Sequence, residues 1–516
     1  MKPSKILLFV LLILGCLLSI AFFFPKEGIK ITDDLVLYFP TIDELMEDPN
    51  NSVVDISDII AKYQVKEESL LDENIGMSSA MMDDSSIIYY EPKTINANEV
   101  NQKLEFPAND KSVLYPFFKE LSEIQSNGKL IRIMHYGDSQ IEADRISSYL
   151  RYKIQGQFGG QGPGLIPAVQ PYGFESPVKV ELSEGWVRYT GFGILDSTIK
   201  HSRYGVLSSF SRFAPYSNNF KDSLLRLKDT LANKNEYNAW IKINHSKYSQ
   251  NNVKKYSQCR LFYGFNQYPV NLKVYSGEKE IDKKILLSSE NLQVKRWTFS
   301  ETPSYLRMEF NGYDSPDIYA LALDGLHGVA VDNIALRGSS GLVFTTTSEN
   351  LLRAIYQNLN TKLIILQFGG NVAPTMKDNY DYYQQSFFNQ LVRLKKIIPD
   401  VNIIVIGIAD MSLKEKDKYV SYPNVLLIRD ALKRATFKAN CVFWDTYQAM
   451  GGNNSMPSWV FADPPLAEKD FIHFTINGSR IIAQMFYQAL MLEYNEYFSR
   501  NIKGKSSINS SQLSSK

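Results

Sequence analysis

At 516 residues the chain is long enough for two or three domains with separate cores. Its 44% hydrophobic and 22% charged residues are ordinary for a globular protein, and a net charge of +1 leaves no global basic field of the kind that binds nucleic acid. Three cysteines exclude a disulfide framework: Cys16 lies in an N-terminal apolar run, and Cys259 and Cys441 read as ordinary buried thiols.

Lys2 and Lys5 precede Ile6–Phe24, an uncharged run close to the length of a bilayer-spanning helix. The leading positive charge predicts an N-terminus in the cytoplasm and export of the remainder of the chain, so the body is read as extracytoplasmic, in the periplasm. Residues 1–26 are read as an anchor in the inner membrane, with a cleaved signal peptide as the alternative because Ser19-Ile20-Ala21 is a passable cleavage site. Residues 27–110 carry acidic pairs such as Asp33-Asp34, Glu67-Glu68 and Asp83-Asp84 and no long periodic segment, as in a partly disordered tether with short ordered pieces.

A globular pattern spans 111–177. The amphipathic stretch Leu114–Ile124 leads into Leu130–Ile141, LIRIMHYGDSQI, a strand that stops at Gly137 and passes through Asp138-Ser139-Gln140 into a predicted helix over Glu142–Phe158. Such a turn lifts a serine hydroxyl off the carboxyl end of a sheet, near unpaired helix N–H groups. Ser139 is therefore a candidate nucleophile; a plain serine turn is the alternative. The adjoining Gly159–Gly164 loop lacks the Lys-Ser/Thr of a phosphate loop and is read as a flexible wall beside the serine.

Between 178 and 327 short runs alternate apolar and polar residues: Val187–Tyr189, Trp240–Ile243, Arg260–Tyr263, Val270–Tyr275, Arg296–Phe299 and Tyr305–Phe310. With 31 Tyr in the chain, this predicts an inserted, jelly-roll-like all-β sandwich, either carbohydrate-binding or purely structural. Over 328–498 the α/β pattern resumes: strand Val331–Leu336, helix Glu349–Leu359, strand Leu363–Gln367, a helix with Tyr382, Phe387, Phe388, Leu391, Leu394 and Ile398 on one face, strand Ile403–Ile408, helix Asn424–Phe437, strand Val442–Trp444 and a last helix near Gly478–Tyr494 capped by Thr475 or Asn477. That alternation predicts a three-layer αβα domain around a parallel sheet. The Ser-, Asn- and Lys-rich 499–516 reads as a disordered tail.

Serine ester chemistry needs a nucleophile, a base, a group that orients the base and donors for an oxyanion. Of five histidines, His473 sits ahead of the last helix with Asp470 three residues before it, a spacing that can bring the carboxylate to the imidazole. Asn371, after Gly369-Gly370 at a strand end, is a candidate side-chain donor, and Gly338 a candidate backbone donor with Gly341 as its alternative. Asp138 reads as a turn-holding group, and His135, His201, His245 and His327 as structural or surface residues. No His/Cys cluster has metal-ligand spacing and no cofactor is expected.

Taken in order, YGDSQ at Ser139, GGN at Asn371 and DFIH at Asp470 and His473 resemble blocks I, III and V of the SGNH (GDSL-type) hydrolase superfamily; Gly338 is the weaker match to block II. The resemblance covers roughly 113–173 and 329–494, and the chain departs from the common pattern in having Gln140 after the serine. With its β-insert and N-terminal apolar segment the chain is similar to bacterial peptidoglycan O-acetylesterases and related acetyl-transfer enzymes. The resemblance implies an acetyl-enzyme on Ser139, His473 as base oriented by Asp470, and an oxyanion held by the N–H groups of Ser139 and Gly338 and the Asn371 amide. The implied substrate is an O-acetylated glycan and the implied reaction hydrolysis, with acetyl transfer to a sugar hydroxyl as the alternative and an inactive glycan-binding protein as a third reading.

Overall fold

The computed structural model describes residues 3–25, 29–32, 35–37, 39, 54–63, 80–82, 88–90, 95–171, 177–216, 235–247, 249, 251–416 and 418–503. Residues 504–516 of the expected tail fall outside them, while Ser499–Lys503 form a helical turn; about half of the expected tether also falls outside. Helix α1 (Pro3–Phe23) exposes most of its apolar side chains and is long and apolar enough to cross a membrane.

Chain order through the larger body runs α2 (Tyr115–Ser122), β1 (Leu130–Gly137), α3 (Ser147–Phe158), β2 (Gly328–Ala335), α4 (Glu349–Leu359), β3 (Thr361–Gln367), α5 (Asp381–Ile397), β4 (Asn402–Ile406), α6 (Val425–Lys438), β5 (Val442–Trp444) and α7 (Ile476–Phe498). The five strands are all parallel, in the order β2-β1-β3-β4-β5. This is a doubly wound sheet whose order reverses beside β1, so the loops after β1, β2 and β3 open onto one crevice. Alternate strand residues feed opposite cores, as the pleat requires. Ile131, Ile133, Val331, Ile365, Ile404 and Trp444 pack toward α2, α3 and α7, whereas Met134, Tyr136, Ile364, Leu366, Val405 and Phe443 pack toward α4, α5 and α6. The result is an αβα domain.

Between α3 and β2 the chain builds two facing antiparallel sheets. One contains Val178–Leu182, Tyr237–His245, Tyr305–Gly312, Val270–Ser276 and Lys279–Leu286; the other contains Val187–Thr190, Ser209–Arg212, Asp317–Asp324, Gln258–Asn266 and Ser289–Thr298. Gly164–Ile166 also pairs with Asp317–Asp324, so the β structure takes a strand from before residue 178. Asp317–Asp324 is buried throughout because Ile318, Leu321 and Leu323 face the sandwich core while Tyr319, Ala320 and Ala322 face the αβα domain. Where the two meet, Arg132 of β1 lies fully buried between Asp332 of β2 and Asp324, each at 2.5 Å, and Arg260 reaches Asp324 at 3.1 Å.

Four expectations are corrected. The segment after Ser139 is a broken 3-10 turn with Ala143 and Asp144 at positive φ, and α3 begins at Ser147, not at Glu142. The glycine loop is no wall beside the serine: a Cβ on Gly160 would strike the Val329 carbonyl at 2.2 Å, and one on Gly162 the Leu323 carbonyl at 2.2 Å. Val329 is the second residue of β2, ~20 Å along the strands from the serine end. Those glycines serve close backbone approach. On α5 it is Tyr383 that is buried, while Tyr382 is exposed. Within the expected tether, Ile56, Tyr63, Val100, Leu104 and Phe106 are buried against the αβα core, and Glu105 pairs with Phe443 at the sheet edge.

Candidate active site

Ser139 opens the loop after β1, and Asp138 shapes that loop. The Asp138 side chain caps the turn by accepting the Gln140 N–H at 3.0 Å, and it also accepts the N–H of Gly370 from the loop after β3. Burial pushes its carboxyl up to about 6, a rise that these two N–H groups and the nearby His473 reduce but do not cancel.

His473 and Asp470 lie in the loop ahead of α7, whose start Thr475 caps by accepting the Gly478 N–H at 3.2 Å. The Ser139 hydroxyl is 2.8 Å from His473 Nε2, and His473 Nδ1 is 2.7 Å from Asp470 Oδ2. The other carboxylate oxygen, Oδ1, accepts the N–H groups of Ile472 and His473 at 2.9 and 3.0 Å. Burial raises the Asp470 carboxyl, but the bonds from the His473 ring and from the two backbone N–H groups outweigh it and hold it at about 2. An ionised Asp470 accepts from Nδ1–H, which leaves Nε2 as the acceptor facing the hydroxyl.

The other candidates form a second group. Asn371 sits in a 3-10 turn after β3, is exposed, and donates to the Ser339 carbonyl at 3.1 Å, joining the loops after β2 and β3. An amide nitrogen carries two hydrogens, so one such bond leaves a second to give. Gly338 has φ 78 and open space where a Cβ would stand. Gly341 N–H instead donates to the Ser339 hydroxyl at 3.1 Å, and a Cβ on Gly341 would strike the Phe368 ring at 2.7 Å. The structure thus joins Ser139, His473 and Asp470 by direct hydrogen bonds, and ties Asn371 to the Gly338 loop. Asp138 and Gly370 link the two groups.

Two further residues at the site carried little signal in the sequence. The Gln140 amide bonds the His473 loop at two points, with its departure from the commoner G-D-S-L form as the one visible sign. Phe471 takes φ 58, unusual for an aromatic side chain, and stacks on Tyr419 at 3.6 Å between ring centres. The remaining histidines take structural places. His135 is buried between Ser147 and Gln367, with burial pushing its ring down to about 4; His245 contacts the Pro303 carbonyl; His327 is exposed. Among the described residues no cluster of His, Cys, Asp or Glu is placed to hold a metal ion. A cleft of about 730 Å³ runs from Gly338–Ser340 to the insert, where Phe192, Leu195, His201 and Tyr204 line it.

A solved peptidoglycan O-acetylesterase superposes with a TM-score of 0.57 at 17% identity, over 75% of this chain and 97% of its own. The two chains share their fold. An acetyl xylan esterase (TM-score 0.25, 12% identity, 31% of this chain and 81% of its own) and a family two carbohydrate esterase from Clostridium thermocellum (0.21, 8%, 50% and 93%) are more distant, and the likeness in fold rests on the first structure. No family model matches the sequence, and no curated protein is similar to it in sequence.

Proposed function

We propose that this protein is a serine esterase that removes O-acetyl groups from a glycan outside the cytoplasm, through an acetyl-enzyme on Ser139. The observation that carries the reading is the continuous hydrogen-bonded line Ser139–His473–Asp470, at 2.8 and 2.7 Å, at the carboxyl end of the sheet. Ser139 Oγ attacks the acetyl carbonyl carbon while its proton passes to His473 Nε2; Asp470 stabilises the imidazolium without taking the proton. The carbonyl oxygen becomes an oxyanion, received by the N–H groups of Ser139 and Gly338 and by the second amide hydrogen of Asn371. Collapse breaks the ester bond, and His473 returns the proton to the departing sugar oxygen. Water then attacks the acetyl-enzyme with His473 again as base, and acetate leaves.

The glycan reading draws on the likeness to the peptidoglycan O-acetylesterase and on the cleft between the Gly338 loop and the insert. The extracytoplasmic reading draws on α1, with Lys2 ahead of it in sequence and Lys5 in its first turn, which as an inner-membrane anchor would set the domain in the periplasm. The test is acetate release from O-acetylated peptidoglycan and from a small acetate ester, with Ser139→Ala as control and a fluorophosphonate to map the reactive serine. Label on Ser139 and release abolished in Ser139→Ala are expected. Undiminished release by Ser139→Ala refutes the assignment; acetylated chitooligosaccharide with little free acetate points to transfer in place of hydrolysis.

A further inference from the structure

Asp470 fixes the His473 ring within its own loop, since the carboxylate bonds both the ring and the loop backbone. That arrangement moves with the loop and says nothing about where the loop stands relative to Ser139. The loop also holds Phe471 at φ 58, a conformation that an L-aromatic residue keeps only where its surroundings hold it there. Something outside the loop has to set its place.

Gln140 directly succeeds Ser139 and is nearly fully buried, at 9% exposure. Its Nε2 donates to the Ile472 carbonyl at 2.6 Å, and its Oε1 accepts the Phe474 N–H at 3.4 Å. Those partners are the residues immediately before and after His473. We propose that Gln140 is a positioning residue that holds the His473 backbone at a fixed distance from the nucleophile beside it, and this rests on reading Ser139 and His473 as nucleophile and base. An amide is suited to the task because it offers a donor and an acceptor on one rigid plane. A leucine at this position offers neither. A glutamate keeps the acceptor for Phe474 and sets negative charge against the Ile472 carbonyl. Two other ties reach the loop from outside, the Ser412 N–H to the Phe471 carbonyl at 3.0 Å and Arg145 Nη1 to the Phe474 carbonyl at 3.2 Å, each on one side of His473 only. The pair of bonds from Gln140 therefore flanks the imidazole in a way that Arg145 does not.

The experiment compares wild type, Gln140→Leu and Gln140→Glu as full-length proteins. It measures kcat and KM on a small acetate ester, amide hydrogen exchange across residues 466–475, and Tm. Gln140→Leu is expected to lower kcat about ten- to hundredfold with KM within about twofold, as a misplacement near 1 Å does. It should also speed exchange in the His473 loop while the insert strands exchange as before; Gln140→Glu falls between. Wild-type kcat with unchanged exchange in Gln140→Leu overturns the proposal, and so does a fall in kcat with no change in loop exchange. If Gln140→Leu does not fold, the nearly isosteric Gln140→Glu carries the same two comparisons. Should wild type release no acetate, the esterase reading falls, and the exchange difference alone decides whether the clamp exists.

Discussion

Replacing Asp470 by asparagine probes the charge relations of the site with almost no change of shape. Asp470 Oδ1 accepts two backbone N–H groups at 2.9 and 3.0 Å, and Oδ2 lies 2.7 Å from His473 Nδ1. An asparagine has one acceptor end. With that oxygen turned to the backbone donors, the NH₂ faces Nδ1, which must then accept, so the ring proton moves to Nε2. Nε2 then meets the Ser139 hydroxyl as a donor and cannot take its proton. Turning the amide over sets NH₂ against two N–H donors, and both lose their acceptor. The loss expected for a wrong tautomer is on the order of 10³–10⁴ in kcat, about 4–5.5 kcal/mol of transition-state stabilisation at 1.36 kcal/mol per decade. The Asp470 side chain is 46% exposed, so water relieves part of the missing charge and the lower end is expected. KM should hardly move, because Asp470 meets the ring in this arrangement. Steady-state kinetics on a small acetate ester, with a Tm to confirm folding, is the assay. Turnover of Asp470→Asn within tenfold of wild type refutes the tautomer reasoning and detaches Asp470 from catalysis.

Asn371→Ala should lower kcat about 10²–10³-fold, because it removes the proposed side-chain oxyanion donor and frees the Ser339 carbonyl; equal kcat in the two proteins removes Asn371 from the site. Arg132→Met leaves the Asp332 and Asp324 carboxylates buried without their main partner and should cost about 3–5 kcal/mol of stability by denaturant titration. Asp138 supplies a pH test whose sign is opposite to the usual carboxylate case: its folded pKa, about 6, is raised above the ordinary 3.8. Its contribution to stability is full below about 3.8 and is lost as pH rises through 6. The stability of wild type minus that of Asp138→Asn should therefore fall across that window, and a difference that is flat or rises with pH counts against a buried, reluctant carboxylate.

How legible the site was depends on how local its causes are. Asp470 and His473 lie three residues apart in one loop, and Ser139 lies at the end of an alternating strand, so local spacing alone marked the three as candidates. The β2–β5 run was readable because strands buried on both faces, such as Leu363–Gln367, are continuously apolar. Other features depend on tertiary neighbours. Gly160 and Gly162 look like a flexible loop until Val329 and Leu323 are seen pressed against them. Tyr382 and Tyr383 are adjacent on α5, and which one turns inward is set by a rotation of one residue, finer than periodicity resolves. Ile56, Tyr63 and Phe106 sit in an acidic, aperiodic stretch whose apolar residues find a surface only once α7 and β5 exist. Gln140 gave no reading of its own, because its role needs a loop more than three hundred residues away.

A site assembled from distant loops needs lateral joints to hold its geometry. Each functional loop comes after a strand or precedes a helix of the rigid αβα body, but loop ends drift unless something joins them laterally. The joints here are short polar contacts from side chains to neighbouring backbone. Asp138 accepts Gly370, which couples the Ser139 loop to the loop after β3; Asn371 donates to Ser339, which couples that loop to the one after β2; Gln140 grips both sides of His473. Tyr383 adds a bond from α5 to the Ser340 carbonyl at 2.8 Å, anchoring the β2 loop to the layer beneath. Backbone acceptors and donors are fixed by the chain path, so such bonds transmit the position of the sheet directly to the reacting atoms. A chain that relied on packing alone would let these loops breathe independently, and a serine–imidazole distance of 2.8 Å would then be one state among many.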